Sequence, residues 1–91
     1  MGKSEEKPYQ VEIRRSALRE IQKLPASARS KAEEEIDKLT ANPFPAGVRK
    51  LAGGKAIYRI RVGDYRVIYS VDFKNHLVTI ERIRHRREAY R

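Results

Sequence analysis

Three arginines surround one short turn. Arg59 and Arg61 stand just before Gly63-Asp64, and Arg66 stands just after it. A two-residue Gly-Asp connection is a favoured β-hairpin turn. In that register Val62 faces Tyr65, Arg61 faces Arg66, Ile60 faces Val67 and Arg59 faces Ile68. Side chains alternate between faces along a strand. One face therefore carries Tyr58, Ile60, Val62, Tyr65, Val67 and Tyr69, and the other carries Arg59, Arg61 and Arg66. Arg61 and Arg66 then oppose each other with Cβ atoms about 5 Å apart, where like charges destabilise a sheet. Arginines can splay and simply solvate an exposed face. A bridging anion explains the crowding better, because guanidinium forks match phosphate geometry and keep their charge at any working pH.

A second group of candidates closes the chain: Arg84, His85, Arg86, Arg87, Tyr90 and Arg91. Arginine interleaved with an aromatic ring suits single-stranded RNA, the ring stacking on a base while the cations take the backbone. Tyr90 is equally compatible with packing at a chain end. His85 ionises near neutrality and is a candidate general acid or base, or an ordinary surface histidine. Lys55 follows Gly53-Gly54, which reads as a turn, since no full phosphate-loop pattern surrounds it. No Ser-His-Asp, Cys-His or paired-carboxylate arrangement is present. The acidic residues of the second half are Asp64, Asp72, Glu81 and Glu88, and none is placed as a catalytic carboxylate. A nuclease built on this chain is expected to work without a metal, because Mg²⁺ sites draw on clustered carboxylates.

The elements that must position these side chains follow from periodicity. Residues 1–8 read as a flexible start, and 9–91 as one domain. Tyr9, Val11 and Ile13 alternate with polar residues and predict a short strand. Ser16 is a plausible N-cap for an amphipathic helix over about 16–24, with Ala17, Leu18, Ile21 and Leu24 on one face. Pro25 ends it and opens a second helix, lined by Ala28, Ala32, Ile36 and Leu39. Asn42-Pro43-Phe44-Pro45 terminates that helix. The period then changes: strands are expected over 56–62, over 65–73 and from 77 to about 84, with a second turn at Lys74-Asn75-His76. The predicted fold class is α+β: a short strand, a two-helix hairpin and a three-stranded antiparallel meander, with both helices on one face of a single sheet.

Composition agrees with a nucleic-acid partner. The 91 residues carry a formal charge of +9. Residues 1–45 hold 9 Lys/Arg and 8 Asp/Glu, and residues 46–91 hold 12 and 4, so the excess lies in the second half. Self-repulsion on this scale is tolerated where an anion is the partner, though a basic surface also aids solubility. The chain has no cysteine and two histidines, His76 and His85. Disulfides and thiolate metal sites are excluded, and a reducing cytosol is compatible. Neither a signal peptide nor a membrane-spanning run is expected.

The stretch Tyr58-Arg-Ile-Arg-Val-Gly-Asp-Tyr-Arg-Val-Ile-Tyr69 and the ending His85-Arg-Arg-Glu-Ala-Tyr-Arg91 resemble the RelE branch of the RelE/ParE toxin superfamily, over about residues 9–91. The resemblance implies a RelE-like fold and a cytoplasmic ribosome-dependent endoribonuclease, an mRNA interferase that cuts mRNA in the ribosomal A site. The mRNA 2′-OH attacks the adjacent phosphate without metal or small-molecule cofactor. It implies a ribosome and a cognate antitoxin as partners, and no membrane. By position, Arg59 and Arg61 match the two basic residues before the turn, Arg66 the arginine after it, Arg86 an arginine at the last strand's end, and Tyr90 the tyrosine near the terminus. The implied roles are phosphate and transition-state stabilisation by Arg66, leaving-group protonation or stabilisation by Arg86, and base stacking by Tyr90. Lys55, Arg59, Arg84, Arg87 and Arg91 are the RNA-binding candidates. Better-known relatives carry a lysine at the position of Arg61, thought to be the general base. Arginine is a poor base at neutral pH, which leaves Arg61 to stabilise charge and His85, or Lys55, to take the proton; His85 is favoured. Arg84 also departs from the glycine common in relatives. A gyrase-inhibiting ParE-type toxin and a non-catalytic nucleic-acid-binding module are the alternatives.

Overall fold

The computed structural model describes residues 8–51 and 56–87. Its elements are β1 (Gln10–Ile13), α1 (Arg15–Gln22), α2 (Ala26–Lys38), β2 (Arg49–Lys50), β3 (Ile57–Val62), β4 (Tyr65–Asp72) and β5 (Leu77–His85). They form one sheet of five strands in the order β1-β5-β4-β3-β2. β1 runs parallel to β5, and every other pairing is antiparallel. The expected strand, helical hairpin and meander are all present. β2 is an addition, a two-residue edge strand too short to show a period. The expected flexible start falls almost wholly outside the described residues, and no helix among those described is long and apolar enough to cross a membrane.

Both helices cover one face of the sheet. Ala17 and Ile21 of α1, Ala32 and Ile36 of α2, and Leu39 meet Ile60, Val62, Val67, Tyr69, Val71, Val78, Ile80 and Ile83 in a single buried core. α1 begins one residue before Ser16, with Arg14 at the cap position and no side-chain cap. The reason is local. The Arg14 N–H still donates to the Ile80 carbonyl, ending β1, while the Arg14 carbonyl already accepts from the Leu18 N–H. No room remains for Ser16 to cap. Pro25 stands at the N-cap of α2, and its carbonyl accepts from the Arg29 N–H at 2.8 Å.

Two long-range contacts fix the sheet to the helical layer. The Tyr69 hydroxyl, wholly buried, donates to the Pro43 carbonyl at 2.6 Å. This ties the middle of β4 to the turn that ends α2, and burial pushes the phenol ionisation well up. The second is Glu20 on α1. β1 ends at Ile13, so the outer edge of β5 is uncovered beyond Ile80. There the Glu20 Oε1 accepts the Ile83 N–H at 2.7 Å, and Oε2 lies 3.6 Å from the Arg82 Nε. A helix side chain thus stands in for the missing strand. At the opposite end, the Asp72 carboxylate accepts two hydrogen bonds from Asn75, and these hold it below its ordinary pKa. They support the β4–β5 turn above that ordinary pKa and are lost as pH falls through the lowered one.

Tyr69→Phe should lower stability by about 1–3 kcal/mol, the cost of a buried carbonyl left without its donor. Urea unfolding that gives an unchanged midpoint would refute the tie. Glu20→Ala should speed exchange of the Ile83 amide proton and reduce stability, whereas Glu20→Gln keeps an acceptor and should retain most of the protection. Equal protection in both variants would show that the Ile83 N–H needs no partner from α1.

Candidate nucleic-acid interface and active site

The hairpin register is the one expected from the turn. Val62 pairs with Tyr65, Arg61 with Arg66, Ile60 with Val67 and Arg59 with Ile68. Gly63 has φ +60 and Asp64 is not left-handed, as a type II′ connection requires. Ile60, Val62, Val67 and Tyr69 are buried beneath the helices, so Arg59, Arg61 and Arg66 point to the other face.

A β-bulge enlarges that arginine face. Ile68 pairs with Arg82, but the next residue, Tyr69, pairs with Ile80, leaving Glu81 as an extra residue in β5. An added residue reverses which side chains face the core beyond it. Val78 and Ile80 face inward before the bulge and Ile83 after it, while Glu81 and Arg82 both turn out. The Glu81 carboxylate accepts from the Ser70 hydroxyl and pairs with Arg14. Arg84 then stands opposite Arg66. Two cross-strand rows result: Arg61–Arg66–Arg84, and Arg49–Arg59–Ile68–Arg82. Arg66 occupies the central strand and is only 7 % exposed.

The turn brings the end of β5 to the same place. The Arg86 N–H donates to the Asp64 carbonyl at 2.7 Å, so the chain leaving β5 is fastened to the hairpin tip. Arg61, Gly63, Arg66, Arg86 and Arg87 line a surface depression of about 440 Å³ with no acidic residue in its described lining. Among the described residues no carboxylate pairs with Arg61, Arg84, Arg86 or Arg87. The site can hold an anion against several guanidinium forks at once, and stabilise negative charge that grows on it.

The structure does not bring His85 to this place. Alternation sends it to the helix-side face, where it meets the Tyr65 ring edge-on at 5.2 Å between centroids. Its Nδ1 accepts the Arg87 N–H at 3.2 Å. It lines a separate depression with Glu20, Lys23, Leu24, Tyr65, Ile83 and Arg84. The expectation of His85 as proton acceptor beside Arg61 and Arg66 has no geometric support. Lys55, Tyr90 and Arg91 lie outside the described residues. Arg49 and Arg82 are additional basic residues on the arginine face that turn chemistry alone does not reveal. No group of three His, Asp or Glu side chains suited to a metal occurs among the described residues.

Comparison with known proteins gives a consistent assignment. The family model for the ParE toxin of the type II toxin–antitoxin system parDE matches residues 11–90. Toxin RelE of Mycobacterium tuberculosis is 34% identical over 89 residues, covering 97% of this chain and 92% of its own length. The RelE–RelB complex of Pyrococcus horikoshii contains a chain that superposes with a TM-score of 0.79 at 36% identity, covering 87% of this chain and 96% of that one. The toxin–antitoxin complex RelBE2 of Mycobacterium tuberculosis gives a TM-score of 0.76 at 28% identity, covering 87% and 99%. With nearly its whole length matched in sequence and in fold, the chain belongs to the ParE toxin family of type II toxin–antitoxin systems, within the RelE/ParE superfamily.

Proposed function

We propose that this toxin is a ribosome-dependent mRNA endonuclease of the RelE type, held inactive by a cognate antitoxin. The observation that carries this reading is the convergence of Arg61, Arg66, Arg86 and Arg87 on one depression at the hairpin tip. A transferring phosphate would sit there. The mRNA 2′-oxygen bonds to the adjacent phosphorus, the P–O5′ bond breaks, the 2′-OH proton leaves and O5′ gains one. Charge grows on the non-bridging oxygens and on O5′. Arg66 and Arg61 would stabilise the first and Arg86 the second, without need of a metal. Arg59, Arg84 and Arg87 hold the flanking backbone, and Tyr90, Lys55 and Arg91 keep their proposed parts in stacking and RNA binding. The structures from P. horikoshii and M. tuberculosis are complexes with antitoxins, which supports a cognate antitoxin here, laid over the basic face and the helices.

His85 lies on the opposite face from the arginines. That leaves Lys55, the RNA or the ribosome as the proton acceptor, and the arginines contribute charge and position. ParE in the family's description favours a second reading, inhibition of gyrase. That activity would need neither Arg86 nor Tyr90 for chemistry.

Mapping mRNA ends on ribosomes stalled by the expressed protein tests the first reading. Cuts should appear in the A-site codon, and Arg66→Ala and Arg86→Ala should each slow cutting by about 10²-fold or more. Continued translation without cuts, together with loss of gyrase supercoiling, would establish the second reading instead. Single-turnover cutting by His85→Gln should retain the pH profile of the unsubstituted protein. Disappearance of an ionisation near neutrality would restore His85 as the base.

A further inference from the structure

The end of β5 carries arginine to the hairpin tip, and it has a strand neighbour on one side alone. β1 leaves β5 at Ile80, so Arg82 to His85 pair only with β4. The bulge at Glu81 comes immediately before them. A strand held along one edge, next to a bulge, is weakly fixed in register. A slip of one residue turns each side chain to the other face. Here it would exchange the faces of Arg84 and His85, and carry Arg86 away from Arg61 and Arg66.

A side chain from the helical layer grips this segment. The Glu20 carboxylate accepts the Ile83 N–H at 2.7 Å and lies 3.6 Å from the Arg82 Nε. Its helix is firmly seated: Ala17 and Ile21 are buried in the core, and α1 lies against β5. From there Ile83 pairs with Val67, Arg84 with Arg66 and His85 with Tyr65, and the Arg86 N–H reaches the Asp64 carbonyl at 2.7 Å. The chain from Ile83 to Arg86 is thus pinned at both ends, by a helix and by the hairpin turn. A charged acceptor also makes a stronger bond than a neutral carbonyl. Satisfying an edge N–H asks only for some acceptor. It does not ask that the acceptor hold the two residues that follow the bulge, just ahead of Arg86.

We propose that Glu20 is a positioning residue for RNA cutting. It acts through Arg86: the carboxylate fixes β5 in the register that aims Arg86 at the departing O5′, and it touches no RNA itself. The inference rests on the RNA-cutting reading of the arginine depression, and adds to it a helix residue outside that depression. Arg86 meets charge that grows only as the P–O5′ bond breaks. Loss of its aim therefore lowers kcat and leaves KM in place.

Ribosome-dependent cutting of an mRNA tests this, at a temperature where circular dichroism shows each variant folded. Misplacing a catalytic group by about 1 Å can cost about 10²-fold in rate. Glu20→Ala should lower kcat by about 10-fold or more, with KM unchanged. Glu20→Gln keeps an oxygen for the Ile83 N–H and should restore most of the rate. Glu20→Asp keeps the charge but draws the oxygens back by one methylene. It should be slow, and it replaces the alanine variant if that one does not fold. In an Arg86→Ala background, Glu20→Ala should cost no more than about 2-fold, because the group it positions is already gone. Full rate in the alanine and aspartate variants overturns the role and leaves the RNA reading standing. So does an equal loss with and without Arg86, or a glutamine variant as slow as alanine. An unsubstituted protein that leaves mRNA uncut on the ribosome overturns the role and the RNA-cutting reading together.

Discussion

A strand can show only alternate residues to a given face, and the organisation of this small sheet follows from that constraint. On β3 and β4 the alternation divides the chain cleanly. Ile60, Val62, Val67 and Tyr69 go to the helices, while Arg59, Arg61 and Arg66 go outward. β5 cannot follow the same rule throughout, because Val78 and Ile80 are followed inward by Ile83, three residues later. The bulge at Glu81 resolves the conflict. It keeps all three apolar side chains in the core and brings Arg82 and Arg84 to the outer face. Without it, either Ile83 would be exposed or the arginine row would stop at Arg66.

The face so formed is electrostatically unfavourable on its own. Like charges directly opposed on neighbouring strands destabilise a sheet. The rows contain three directly opposed arginine pairs, Arg61–Arg66, Arg66–Arg84 and Arg49–Arg59. Splaying and solvent screening reduce the repulsion at the exposed edges, where Arg49 and Arg61 lie. They do less for Arg66, which is buried on the central strand. The protein supports this with features placed elsewhere: the Tyr69–Pro43 bond beneath β4, and Glu20, whose carboxylate both completes the β5 edge and neutralises Arg82. Crowded cations held by such a frame can serve as a preorganised anion site. The frame bears the repulsion before any ligand arrives, so little reorganisation is needed when charge develops.

The hairpin was legible in the sequence because Gly63-Asp64 sets the register from a local signal, and every facing pair follows from it. The two helices were legible from their apolar faces. β2 was not, since two residues carry no period and its existence depends on pairing with β3. Ser16 misled because cap propensity is a local preference, while the start of α1 is decided by the end of β1 at Arg14. The change of spacing in Val78, Ile80 and Ile83 was the available sign of a bulge, and with it the outward turn of Arg82. His85 shows the same lesson for the site. An imidazole suits proton transfer, but simple alternation already turns the His85 side chain away from the face that carries Arg61 and Arg66.

That separation narrows the chemistry the sheet can perform. Each described side chain around the hairpin-tip depression is a guanidinium or a glycine, and a guanidinium stays protonated throughout the working pH range. These arginines cannot remove a proton from a 2′-hydroxyl. It can draw a phosphate into place, orient it through paired N–H donors and stabilise the charge that gathers on its oxygens. A catalyst of this kind accelerates only a nucleophile that is already aligned by its surroundings. RNA lying free in solution samples many backbone conformations, and few place the 2′-oxygen in line with the departing O5′. A partner that holds the strand in one conformation would supply the missing alignment. The described arginines are therefore suited to stabilise a phosphate whose alignment something else supplies.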